Sequence, residues 1–254
     1  MSALRPVTGL GATLLLARLT WKRLLRGRVL WASAALLTLP LLLAATGRSG
    51  DEGWRRPFAI LVALLAVVPP LYLAPAIADE VDDKTFTYLW SRPIARWSVL
   101  TGKLLALVPV LMLGFAVAVL ASFAIVYGAP GGASSNVLLR GVVAVLVGAT
   151  SAGMIAVGIG SVVPRFPLAT AVSYLLLFDL TVGNIPFQIQ NLSITYHVRS
   201  IAGVIRDAEG YRAMLLPPNP TSVAESTIWA LAIGAAWLGV ALWRVRVAEY
   251  ATAK

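Results

Sequence analysis

Uncharged apolar runs alternate with short polar stretches along most of the chain. A transmembrane helix needs about 20 predominantly apolar residues. Six segments, near 29–46, 57–78, 99–127, 137–163, 168–186 and 226–243, meet that need and predict an all-α polytopic membrane protein, one transmembrane domain of 254 residues.

Ahead of the first run, Arg18, Lys22 and Arg26 recur every four residues, while Leu14, Ala17, Trp21, Leu24 and Leu25 gather on the other side of a helix. This predicts a basic amphipathic helix over 10–28 in the headgroup plane; the alternative is a plain extension of the first span. Residues 1–28 carry six basic side chains. That stretch is long for the charged start of a signal peptide, so 29–46 is expected to be a retained first helix.

The second run contains Pro69, Pro70 and Pro75. Each removes a backbone donor and bends a helix. Such breaks are tolerated where neighbouring helices satisfy the freed carbonyls, so this half of the span either faces protein or carries a simple packing kink. In the fourth run Gly148, Ala152, Ala156 and Gly160 share one helical face. Small residues at that spacing let two backbones approach, here within the chain or across a dimer. Asp179, in the fifth run, is an intramembrane carboxylate and a candidate for a transport pathway. The competing reading ends the helix near Gly183, Asn184 and Pro186 and leaves Asp179 at the interface.

Residues 187–225 are mixed, and Ile194, Val198, Ile201, Val204 and Ile205 have helical spacing. An amphipathic segment lying on or dipping into one membrane face is expected, on the external side. His197 is the single histidine, and alone it makes no metal site.

Composition narrows the function classes. Only 13% of residues are charged, against about 25% in soluble domains. The net charge of +10 reads as topogenic charge beside the spans, and no basic, aromatic-interleaved domain suggests nucleic acid. With no cysteine there is no thiolate chemistry. If both termini are cytoplasmic, the inside segments hold fourteen basic residues and the outside ones seven. The positive-inside rule therefore favours cytoplasmic termini, as for a multi-pass protein of the bacterial inner membrane.

That orientation puts the polar island at 79–103 in the cytoplasm. It holds four of the eleven acidic residues, Asp79, Glu80, Asp82 and Asp83, and four basic ones. Phe86, Leu89 and Trp90 can share one face of a short helix whose N-terminus suits the preceding acids. Pro93 disfavours helical geometry at Arg92 and re-aims the chain into the third span, and Arg92 and Arg96 can pair with the acids or with lipid phosphates. The chain has no nucleotide-binding Gly-x-x-x-x-Gly-Lys-Ser/Thr and no His-Glu-x-x-His or Gly-x-Ser-x-Gly. A multi-span chain with a docking-like island and no engine suggests a subunit driven by another. The alternative is an integral-membrane enzyme acting on lipid-linked substrates with a metal-binding acidic loop. An ion-coupled carrier would need an internal repeat and several intramembrane charges.

The island, from Asp79-Glu80 through Lys84-Thr85 and Ser91-Arg92-Pro93-Ile94-Ala95-Arg96 to Gly102-Lys103, resembles the signature of ABC-2 type transporter permeases. Within them it is similar to the branch containing permeases for maturation of multicopper enzymes. Lys84 departs from the glycine often found there. The resemblance implies a non-catalytic permease of exporter type, paired with a second permease chain as homo- or heterodimer. It implies two ABC ATPase subunits that carry ATP-Mg, this chain binding no cofactor itself. It makes 79–98 the coupling region, with Asp79, Glu80, Asp82, Asp83, Phe86, Leu89, Trp90, Arg92, Pro93 and Arg96 meeting the ATPase, and 10–28 a connecting helix on membrane lipid.

Overall fold

The computed structural model describes residues 9–46, 50–76, 96–128, 133–185, 188–203 and 221–247, and every element among them is helical. Helix α1 (Gly9–Arg26) ends at Gly27 and is followed by α2 (Arg28–Leu37) and α3 (Leu39–Thr46). The break at Thr38 has a local cause. Pro40 offers no N–H to the Leu36 carbonyl, and both the N–H and the hydroxyl of Thr38 turn back to the Ala35 carbonyl, at 3.2 and 2.7 Å.

The second span starts earlier than the apolar pattern indicates. The sequence assigns 47–56 to a polar turn, yet α4 (Asp51–Leu64) begins at Asp51, with Pro57 inside it. Gly50, at φ 84°, turns the chain into the helix. Trp54 explains why the polar stretch is drawn into the bundle: it is buried, with ring centroids 5.8 Å from Phe58 and 5.7 Å from Phe123.

Pro69 and Pro70 deprive the Leu65 and Ala66 carbonyls of their donors. The chain tightens just ahead of them, where the N–H groups of Leu65, Ala66 and Val67 bond the carbonyls three residues back at 3.1–3.2 Å. Helix then resumes as α5 (Val68–Leu73), and Val68, Pro69, Pro70 and Leu73 are all buried.

Two long uninterrupted helices follow, α6 (Arg96–Tyr127) and α7 (Ala133–Val162). α7 starts inside the stretch read as a loop from sequence. The fifth apolar run is α8 (Pro167–Ser173), a π-helical stretch Tyr174–Asp179 and α9 (Leu180–Val182). It stops short of the expected 186 because Gly183 and Asn184 turn the chain. A 3₁₀ turn Gln188–Leu192 leads to α10 (Ile194–Ala202), and α11 (Val223–Val247) completes the described chain. Among the described residues, five segments are long and apolar enough to cross a membrane: Arg28–Thr46, Gly53–Leu73, Trp97–Tyr127, Ser135–Val162 and Val223–Val247. The apolar helix Pro167–Val182 is shorter. The chain is an all-α polytopic membrane protein.

α7 is the hub, packed by α4, α5, α6, α8, α10 and α11. Its small residues make this possible. A Cβ on Gly148 would meet Leu65 Cδ1 and Val198 Cγ2 at 2.6 Å, and one on Gly160 would lie 2.1 Å from the Ala74 carbonyl oxygen. Ala152 and Ala156, on the same face, are buried. Lipid is as apolar as leucine, so close packing of this kind holds membrane helices together.

Gly160→Ala meets backbone that cannot rotate away and should destabilise the protein by about 1–3 kcal/mol. A Cβ on Gly239 meets nothing within 4 Å, so Gly239→Ala should be neutral or mildly stabilising. Thermal unfolding of the two variants in detergent micelles tests the contrast.

Candidate functional site

Residues 79–95, which include Asp79, Glu80, Asp82, Asp83, Phe86, Leu89, Trp90, Arg92 and Pro93, lie outside the described residues. Arg96 opens α6. The structure does describe the neck from which this segment leaves and to which it returns. On one side is Ala76, buried at the end of the second span; on the other is Lys103, in the second turn of α6. Lys103 is only 8% exposed, and its Nζ donates to the Ala76 carbonyl oxygen. A peptide carbonyl is a strong acceptor, and the contact gives the buried amine a hydrogen bond.

α1 crosses the same neck. A Cβ on Gly102 would sit 2.8 Å from the Thr13 carbonyl oxygen and 3.0 Å from Leu16 Cβ, so glycine is what allows α1 to lie against α6. Ala12, Thr13 and Leu24 of α1 are buried, while Arg18, Lys22 and Arg26 are exposed together with Leu14, Trp21 and Leu25. The exposed surface of α1 is therefore both apolar and basic.

A second cluster forms where α10 enters the bundle. Val198 lies against Gly148, and Gly203 is near Arg140, so α10 runs antiparallel to α7. Gly148 is roughly 22 Å along α7 from its first residue at 1.5 Å per residue, so the N-terminus of α10 is deep within the helix bundle. The initial N–H groups of a helix have no internal acceptor. Here Ser193 Oγ accepts from Tyr196 N at 3.2 Å and donates to the Asp179 carbonyl at 2.8 Å. One Asp179 carboxylate oxygen accepts from Ile194 N at 2.7 Å; the other accepts from Thr195 N at 3.1 Å and the Thr195 hydroxyl at 2.6 Å. Asp179 is 4% exposed and clamps the end of the fifth apolar segment to the start of α10.

The sequence-derived amphipathic pattern of this segment stands in a different setting from a simple membrane surface. α10 packs against α4, α7 and α11, and its polar side is buried along with its apolar one. Val204 and Ile205 lie outside the described residues, and the helix ends at Ala202 because Gly203 adopts φ 77°. The polar residues find partners: Ser200, Thr221 and Ser226 share hydroxyl hydrogen bonds of 2.6–3.0 Å that join α10 to α11. His197 is fully buried, and its Nε2 is 2.9 Å from the Asn191 carbonyl. A carbonyl only accepts, so Nε2 carries the proton and Nδ1 is bare, with no hydrogen-bond partner among the described residues. Burial pushes the imidazole below its ordinary pKa; the Asn191 carbonyl and the charges of Asp179 and Glu225 oppose that shift.

A cavity of about 350 Å³ opens between α2, α3, α5 and α6, lined largely by apolar side chains such as Leu30, Leu37, Val68, Leu111 and Val117. Its polar feature is a hydrogen bond between Ser33 and Tyr72. Because Ser33 donates to the Leu30 carbonyl at 2.9 Å, Tyr72 is the donor of that pair. Ser33, Tyr72, Ser193 and Thr195 are not among the residues expected from sequence, and Lys103 is marked there only as the end of the signature. Ser193 just before the apolar positions of 194–201 is a legible N-cap signal; the cross-bundle pairs have no local one.

Asp179→Ala strands two buried N–H groups and should cost about 2–5 kcal/mol, with faster amide exchange across 194–202; Asp179→Asn, which keeps an acceptor, should cost less. The His197 shift fixes a sign. The unfolded chain binds its proton below about 6.5 while the folded one resists it. His197 therefore lowers stability as pH falls through 6.5 towards its depressed folded value. Apparent melting temperature between pH 5 and 8 should fall on acidification by less in His197→Gln than in the wild type.

No curated protein matches the chain. Residues 51–237 match the family described as ABC-2 family transporter protein. That range takes in the second through fifth apolar segments, the neck with its intervening segment, the Asp179 clamp and half of α11. The chain belongs to the ABC-2 family of transporter proteins.

Proposed function

We propose that this permease component of an ABC transporter is driven by a separate ATPase that docks on 79–98. The observation that carries the proposal is the family match over 51–237, which contains the whole island. The sequence supports it independently: four acids, an aromatic patch and Arg92-Pro93 sit between two spans in a chain with no nucleotide-binding motif of its own. ATP-Mg is held by the partner, in two ATPase copies beneath two permease chains, and this chain performs no chemistry. The excess of basic residues in 1–28, 79–103, 164–167 and 244–254 supports cytoplasmic termini and a cytoplasmic island in a bacterial inner membrane, and outward transport follows from the resemblance to exporter-type permeases. The shortage of polar groups along the spans fits a hydrophobic cargo better than an ion.

Docking rests on Phe86, Leu89 and Trp90, with the acids 79–83 before them and Arg92 and Arg96 behind. Buried aromatic anchors of this kind dominate interface energetics, at about 2 kcal/mol or more each. Replacing Phe86 and Trp90 together by Asp should abolish co-purification of the ATPase while leaving the chain folded by size-exclusion chromatography. An undiminished complex would defeat the docking assignment.

A further inference from the structure

The neck of the 77–95 segment is built in a way that the docking role alone does not require. Pro69 and Pro70 leave the second span with only the short helix α5 ahead of the turn at Ala74, and residues 75–76 are helical again. So short a helix is not stable by itself; packing and caps must hold its end. Two contacts do so. Gly160 of α7 receives the Ala74 carbonyl, and Lys103 of α6 reaches the Ala76 carbonyl across twenty-seven residues of sequence. Burying an amine is expensive unless it is hydrogen-bonded, so a lysine at 8% exposure points to a contact that a polar surface position would not need. The adjacent Gly102 fixes α1 to the same turn of α6.

We propose that Gly102-Lys103 is a clamp that makes the end of the second span, the start of α6 and α1 move as one body. Gly102 supplies the close approach to α1, and Lys103 supplies the bond that closes the base of the 77–95 segment. The proposal rests on the reading that an ATPase pulls on this segment. With the clamp closed, a displacement of the segment is passed to both flanking spans together. With it open, the proline-weakened end of the second span absorbs the displacement locally. Lys103 is thus a positioning residue.

Amide hydrogen exchange followed by mass spectrometry, on the full chain in lipid nanodiscs, tests the clamp itself. Lys103→Met should raise exchange in peptides covering 70–76 by about tenfold or more, leave those covering 144–157 unchanged, and be rescued by Lys103→Arg, which keeps a donor. Wild-type exchange at 70–76 in Lys103→Met overturns the proposal. So does uniform acceleration along the chain, which marks general unfolding, if Lys103→Arg shares it. The same measurement on the complex with the co-purified ATPase, with and without ATP and vanadate, tests transmission. Nucleotide should change exchange at 70–76 and 98–106 together in the wild type. In Lys103→Met the ATPase should still co-purify, but the joint response should be lost; a persisting joint response overturns the clamp. If no ATPase binds even the wild type, the docking reading falls, and the nanodisc comparison still decides whether the clamp exists.

Discussion

Hydrocarbon offers a backbone group no hydrogen-bond partner, and the architecture of this chain follows from where its helices nevertheless stop inside the bundle. At two points a buried charged side chain from elsewhere in the sequence bonds the backbone beside such a break. Asp179 accepts from the free N–H groups at the start of α10, and Lys103 donates to a carbonyl at the end of the second span. At α10 the sign matches the helix dipole: a carboxylate at an N-terminus. The Asp179 cap relieves N–H groups that would otherwise be uncompensated, which costs several kcal/mol in lipid. Each contact also relieves the burial cost of its own charge. Removing Asp179 exposes both penalties at once.

The same constraint separates what the sequence shows from what it hides. Long apolar runs announce spans because every backbone group is satisfied within the helix, so α6, α7 and α11 are legible to within a few residues. Helix ends are less legible because their solutions are not local. The polar stretch Asp51–Arg56 reads as a turn by charge, yet it is helical because Trp54 is pulled among Phe58, Phe123 and Tyr127. Asp179 reads from sequence as a lone intramembrane carboxylate with two open roles. Its partners, Ile194 and Thr195, are fifteen and sixteen residues away and carry no mark of the pairing. The small-residue face of α7 is visible in sequence, but its partners, the second span and α10, emerge only from the packing.

α10 shows why an amphipathic pattern underdetermines location. Alternation of apolar and polar positions tells which side chains want different surroundings, and water, headgroups or a buried hydroxyl network can all satisfy the polar side. Here Ser193, Thr195, His197 and Ser200 are satisfied inside, by Asp179, Asn191, Thr221 and Ser226. The one open acceptor, His197 Nδ1, sits in the midst of this network, so its protonation would add a donor where no acceptor is in place. The buried polar helix is therefore most secure when that ring stays neutral.

The distribution of helix breaks divides the bundle mechanically. α6, which carries Pro109 within it, α7 and α11 each run as one helix and pack on one another. The first, second and fifth apolar segments are interrupted, at Thr38, at Leu65–Val67 and by the π-helical stretch at Tyr174–Asp179. An interrupted helix has fewer of its own hydrogen bonds to lose at the break, so bending there costs less than bending a continuous one. The segment between residues 76 and 96 joins one member of each class, the broken second span and the continuous α6. A pull on it would by default bend the weaker side. The bond from Lys103 to Ala76 crosses that boundary where the two sides meet, and so directs the load towards the frame formed by α6 and α7 and away from the proline-bearing end of α5.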